Sequence, residues 1–153
     1  MLKAAPISWF SWNYELSEGG QRVGTISTAW VRERAAMSVR GMTCELYRES
    51  MWGRFLATVN GEIIASADKP SAFHRRFIIQ FEDREIESVA ESPLGRSFIL
   101  REHGHDIGAI RPLHVFTRKA MIDLPDDFPI EISVFTFWLV VLMWRRQANN
   151  SAT

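Results

Sequence analysis

The 153-residue chain carries eighteen Lys and Arg against eighteen Asp and Glu, and 46% of its residues are hydrophobic. That much apolar material excludes a disordered chain, and balanced charge excludes a general attraction to nucleic acid, leaving room only for local basic patches. One domain, residues 1–153, buries about two-thirds of its unfolded surface at this length and needs no disulfide; the single Cys44 can form none internally.

The first ten residues hold one Lys, an early Pro6 and no run of the ~7–15 apolar residues that a secretory signal needs. A cytoplasmic protein, at most peripheral to a membrane, is the expectation. From Ile7 to Leu124 apolar residues alternate with polar ones, and a pleated strand sends such residues to opposite faces. Strands are predicted in turn at 7–15, 22–30, 35–39, 42–48, 53–59, 62–68, 72–82, 84–91, 96–101, 105–111, 113–117 and 119–124. Trp9, Phe10, Trp12 and Tyr14 read as core aromatics, because no basic residues interleave with them as a base-stacking surface requires. Gly24, Ile26 and Trp30 share one strand face; Phe73, Phe77, Ile79 and Phe81 share another. Cys44 alternates in step with Met42 and Leu46 and reads as a buried, inert thiol. Arg40-Gly41, Asn60-Gly61, Lys69-Pro70-Ser71, Glu82-Asp83 and Glu102-His103-Gly104 mark the reversals. Asn-Gly in particular suits the positive φ angles of a two-residue hairpin. About a dozen short strands cannot stay flat and open, since twist and exposed edges favour closure.

The pattern breaks after Leu124. Pro125-Asp126-Asp127 is a helix-start signal in which either aspartate can accept hydrogen bonds from the first free amides, and Pro129 suits the first turn. A helix is predicted over about residues 128–147, apolar on every side and closed by Arg145-Arg146. Only the thirteen residues from Ile132 to Trp144 lack a formal charge, whereas a bilayer span takes ~20. Glu131 in hydrocarbon would cost several kcal/mol. The reading is a core helix centred on Ile132, Phe135, Trp138, Leu139 and Leu142. The competing reading makes residues 129–146 a membrane anchor, with Trp138, Trp144 and the arginines at the interface. A barrel of about twelve strands is too wide for its own side chains to fill, and an all-round apolar helix fits that space. The predicted fold is mainly β, a closed antiparallel β-barrel of about twelve strands enclosing a central hydrophobic C-terminal α-helix.

Several short stretches carry a resemblance. They are Val23-Gly24-Thr25-Ile26, then Gly61-Glu62-Ile63-Ile64-Ala65-Ser66-Ala67-Asp68-Lys69 followed by Phe73-His74-Arg75-Arg76-Phe77, then Ile107-Gly108-Ala109-Ile110. Leu124-Pro125-Asp126-Asp127-Phe128-Pro129-Ile130-Glu131 and the apolar helix complete the order. Together they resemble the tubby C-terminal-like superfamily, which includes the tubby domain, phospholipid scramblases and plant LURP-one-related proteins. The resemblance implies a twelve-stranded barrel wrapped around a central helix. Tubby domains bind phosphoinositides through basic surface residues, and scramblases are associated with calcium through an acidic segment near the last helix. Asp123, Asp126 and Asp127 lie in that neighbourhood here, without the spacing of an established calcium loop.

The one compact basic cluster within the strands is His74-Arg75-Arg76, a candidate site for an anion or lipid headgroup whose plainer reading is a solvated outer face. Arg75 and Glu131 are both charges in apolar settings and are expected either to pair or, for Glu131, to stabilise the first helical turn. His103, His105 and Asp106 sit on a predicted turn, and His114 is isolated, so no metal site is expected. Neither Ser97 nor any other serine sits in a nucleophile elbow, and no glycine loop or carboxylate spacing implies catalysis or a cofactor. The expectation is a non-enzymatic barrel that binds a phospholipid headgroup, a phosphoinositide-type anion or a protein partner, and no nucleic acid. The alternative is a membrane-anchored protein with scramblase-like lipid movement.

Overall fold

The computed structural model describes residues 1–29 and 32–152. Its strands are β1 (Leu2–Pro6), β2 (Tyr14–Glu18), β3 (Gln21–Thr28), β4 (Arg34–Val39), β5 (Met42–Arg48), β6 (Phe55–Val59), β7 (Glu62–Asp68), β8 (Arg76–Phe81), β9 (Arg84–Ala90), β10 (Phe98–Glu102), β11 (His105–Pro112) and β12 (Ala120–Asp123), followed by the helix α1 (Ile130–Ser151). Each strand pairs antiparallel with the next, and β1 closes the barrel on β12 through Leu2↔Ile122, Lys3↔Met121 and Ala4↔Ala120. Closure leaves no strand edge open to another chain.

An up-and-down barrel sends alternate connections to opposite ends. At one end lie tight turns at residues 19–20, 40–41, 60–61, 82–83 and 103–104. There Asn60 and Gly61 have φ of 52° and 83°, as the sequence pattern requires. At the other end lie longer connections, residues 7–13, 49–54, 69–75, 91–97 and 113–119, and the one between β3 and β4, of which residues 29, 32 and 33 are described. Gly24 is held flat against its neighbour: a Cβ there would stand 2.2 Å from the Ser38 carbonyl oxygen, and one on Gly108 would stand 2.5 Å from that of Asp123. The two glycine motifs singled out in the sequence are therefore places where strand backbones meet closely.

The core is the helix. Residues Ile132 through Trp144 are all buried, including the expected Ile132, Phe135, Trp138, Leu139 and Leu142. Small inward residues on the strands, among them Ala4, Ala35, Ala57, Ala65, Ala67 and Ala120, leave room for it. Larger side chains lock it in place through edge-on contacts, with Tyr14–Phe137 centroids at 5.0 Å and Phe55–Trp138 at 6.0 Å. Thr136 resolves its own burial by donating its hydroxyl to the Ile132 carbonyl at 2.8 Å. No helix among the described residues is long and apolar enough to cross a membrane. Cys44 is buried and free, as expected.

Several sequence expectations change. The predicted strand at 7–15 is a loop, 7–13, between β1 and β2, and Trp9 and Phe10 are exposed while Tyr14 is buried. Residues 113–117 form a loop instead of a strand, and β8 begins only at Arg76, which leaves Phe73 outside. Alternation records where apolar residues fall, but it does not tell a strand face from a projecting loop. Pro129 is the helix N-cap, with no side-chain cap bond; Asp127 instead accepts from Arg84 at 2.8 Å. The helix continues to Ser151, so Arg145 and Arg146 lie before its last turn, where they meet the Ala29 carbonyl and Glu33. Trp30, expected on an inward face, lies outside the described residues.

Candidate functional site

The long connections share one design. Each of five carries large apolar side chains in water: Trp9 and Phe10 (β1–β2), Met51 and Trp52 (β5–β6), Phe73 (β7–β8), Leu94 (β9–β10), and Val115 and Phe116 (β11–β12). Exposures of 90% for Trp9, 83% for Trp52, 94% for Phe73 and 95% for Phe116 mean that these tips pack neither on the barrel nor on one another. The five tight turns at the opposite end carry no large apolar residue. Small hydroxyl residues shape the loops: Ser11 accepts from the Asn13 amide, Ser71 from Phe73, Ser92 from Gly95 and Thr117 from Lys119, at 2.9, 3.1, 2.9 and 3.0 Å.

Basic side chains fasten the same loops by donating to their carbonyls. Arg118 reaches Ser8, Trp9 and Ser11, and Arg96 reaches Val115 and Thr117. Arg48 holds the Gly53 carbonyl at 2.9 Å, and Lys69 holds those of Ser71 and His74. Burial, then the charges of Arg146 and Arg48, lowers the Lys69 pKa, which marks a crowded positive region. Across the described residues of the six loops and of the emerging helix, residues 145–152, nine Lys and Arg face only Glu33, Glu49 and Glu91. The turns and the β12–α1 connection at the other end hold Arg40 against Glu82, Asp83, Asp126 and Asp127. A chain of zero net charge is thus polarised along its barrel axis.

The expected basic cluster does not converge. Arg75 donates to the carbonyls of Ser92 and Pro93 at 2.7 and 2.8 Å, with its guanidinium 5.7 Å from the Phe98 ring. Arg76 pairs with Glu87 at 3.0 Å on the barrel wall, while His74 is exposed in the β7–β8 loop. The expected Arg75–Glu131 pair is not formed. Arg75 sits at the loop end, on the 91–97 connection that also takes the Trp144 indole N–H through the Arg96 carbonyl. Glu131 sits in the first helical turn, beside Val59, Asn60 and Glu62 at the turn end. Some thirteen helical residues separate those ends, or ~20 Å at 1.5 Å per residue. Loop carbonyls take both bonds of the Arg75 Nη2 while its Nη1 is buried without a partner, and Glu131 lines a cleft open to water, so the two charges stay apart.

Asp106 pairs with Arg101 at 2.7 Å, while His103 and His105 are exposed; among the described residues no three His, Cys, Asp or Glu converge on a metal-sized site. Comparison with family models, curated proteins and solved structures gives no match. The apolar loop tips are the feature that strand periodicity missed. Their signal is an apolar residue bracketed by Ser, Pro or Gly, as in Ser8-Trp9-Phe10-Ser11, Ser50-Met51-Trp52-Gly53 and Pro93-Leu94-Gly95.

Proposed function

We propose that the protein is a non-enzymatic lipid-binding barrel that docks on the surface of an anionic membrane with its loop end. The observation that carries this reading is the gathering of fully exposed Trp and Phe tips, interleaved with cations, at one end of the barrel. Exposed apolar groups of this size mark an interaction surface. Separate tips on separate loops suit a fluid partner that flows around each of them, whereas a protein partner calls for one packed patch. Aromatic side chains favour the membrane–water interface, and each basic residue near an anionic leaflet contributes about 1 kcal/mol. The reading agrees with what resemblance to the tubby C-terminal-like superfamily implies, and the buried helix leaves the loops to supply the apolar contact.

Vesicle co-sedimentation tests it. Binding is expected to phosphatidylserine-containing vesicles, to weaken with salt, and to be slight on phosphatidylcholine alone. Changing Trp52, Phe73 and Phe116 together to Ser removes side chains that support nothing in the fold, so the melting temperature should hold. Half of the ~1.5–3 kcal/mol for burying each side chain gives at least about thirtyfold weaker binding. Equal sedimentation of the triple variant would refute the docking face.

A further inference from the structure

Between the β1–β2 loop, the β11–β12 loop and the emerging helix lies a cleft of about 510 Å³, walled by Trp9, Phe10, Trp12, Trp144, Arg96 and Arg118. The Arg96 guanidinium stands 4.7 Å from the Trp144 ring centroid and that of Arg118 stands 5.0 Å from Trp12. Among the described residues neither arginine has a carboxylate within ion-pair distance; both donate to neutral loop carbonyls. Their charges are therefore held together without compensation. Burial lowers the Arg96 pKa, Tyr14 opposes that shift, and the Arg118 charge adds to it. Two further polar atoms nearby lack partners. The Tyr14 hydroxyl, fully buried, lies in the field of both guanidinium groups, and the Gln147 Oε1 is left over after its Nε2 donates to the Leu94 carbonyl.

A positive pair without a counter-charge favours an anion, and arginine suits phosphate in particular. Indole and phenyl walls favour an apolar body attached to that anion. We propose that this cleft holds one molecule of a phosphorylated amphiphile, its phosphate between Arg96 and Arg118 and its apolar part along Trp9 and Phe10. The proposal deepens the membrane-docking reading and rests on it for the supply of lipid, since the cleft opens at the loop end. It adds a one-to-one site to a surface that would otherwise bind lipid only in bulk.

The test uses the full chain and a short-chain lysophosphatidic acid below its micelle-forming concentration, followed by calorimetry and by the emission of Trp9, Trp12 and Trp144. Saturable one-to-one binding is expected, with inorganic phosphate and short-chain lysophosphatidylcholine each at least about tenfold weaker. Arg96→Gln and Arg118→Gln should each weaken binding about tenfold. Because both arginines also fasten loops, Ala148→Phe provides a second variant that fills the cleft from the helix and leaves every charge in place. It should abolish binding of the soluble amphiphile while preserving the melting temperature. No saturable binding, equal affinity for inorganic phosphate, or indifference to Ala148→Phe would overturn the cleft. Sedimentation with anionic vesicles alongside any of these results would leave docking standing; cleft binding without sedimentation would reject docking alone.

Discussion

Replacing Trp138 by Ala measures how far the helix is the centre of the fold. Trp138 is 1% exposed, lies midway along the buried stretch, and meets Phe55 of β6 at 6.0 Å and Phe135 at 6.2 Å between ring centroids. A buried Trp removes ~150–250 Å² from water. At about 25 cal/mol per Å² that is roughly 4–6 kcal/mol, of which alanine retains a part. A barrel wall closed by hydrogen bonds all round cannot collapse onto the void, so about 3–5 kcal/mol is expected, the range for large-to-small core changes. One correction applies: the Trp138 indole N–H is buried without a partner, and its removal returns some of the cost. Trp138→Phe also deletes the N–H but leaves a smaller void, so it should cost well under the loss for Trp138→Ala. Urea unfolding followed by far-ultraviolet circular dichroism gives both values, with an unchanged denaturant slope as the sign that the unfolded state is the same. For a chain of this size Trp138→Ala corresponds to a melting temperature lower by about 10 °C. A loss below about 1 kcal/mol for Trp138→Ala would refute the idea that the barrel depends on its helical filling.

Two further outcomes test the barrel wall and the clamp at its turn end. Gly24→Ala forces a Cβ into the Ser38 carbonyl and should destabilise by about 1–3 kcal/mol in the same unfolding assay, whereas an unchanged midpoint would mean that β3 and β4 do not meet as closely as described. Arg84 grips Glu102 through two bonds of 3.2 and 2.6 Å, reaches Asp127 at 2.8 Å, and lies 4.8 Å from the Phe128 ring, so Arg84→Gln should cost about 2 kcal/mol near neutral pH. Arg84 holds the Glu102 carboxyl below the usual carboxylate range, first by hydrogen bonding and then by its charge. A group depressed in this way stabilises above its unfolded pKa of about 4.3, and that stability disappears as pH falls through the lower folded value. The gap between wild type and Arg84→Gln should therefore narrow below about pH 4, and a gap constant down to pH 2.5 would break the assignment.

The strands and tight turns were legible because both obey local chemistry. Period-two alternation marks β5 and β8, and Asn60-Gly61 sets its own hairpin without help from distant residues. The helix filling was legible from a conflict of sizes, too few apolar residues for a bilayer and too many strands for an unfilled barrel. The loop end was not legible. Trp9, Phe10, Phe73 and Phe116 look in sequence like the Phe77 and Phe81 that line the core, and only the barrel topology gathers them at one end. Arg75 misled for a similar reason. Its charge suggested a carboxylate partner, while backbone carbonyls seventeen and eighteen residues away take its Nη2, and backbone acceptors leave no trace in residue type.

The order of the chain gives the buried helix a last consequence, for how the protein is made. All twelve strands precede α1, and β1 finds its closing partner only in β12, Leu2 against Ile122. A ribosome extending at ~5–20 residues per second releases the strands before the helix that fills them. Until residues 130–151 arrive, the inner faces of the strands have nothing apolar to cover them, and ring closure across the whole strand set is a slow, long-range step. Through most of synthesis the inner faces of the strands therefore stay uncovered, a state prone to aggregation. A chain cut between β12 and α1 keeps every strand and lacks the filling they enclose.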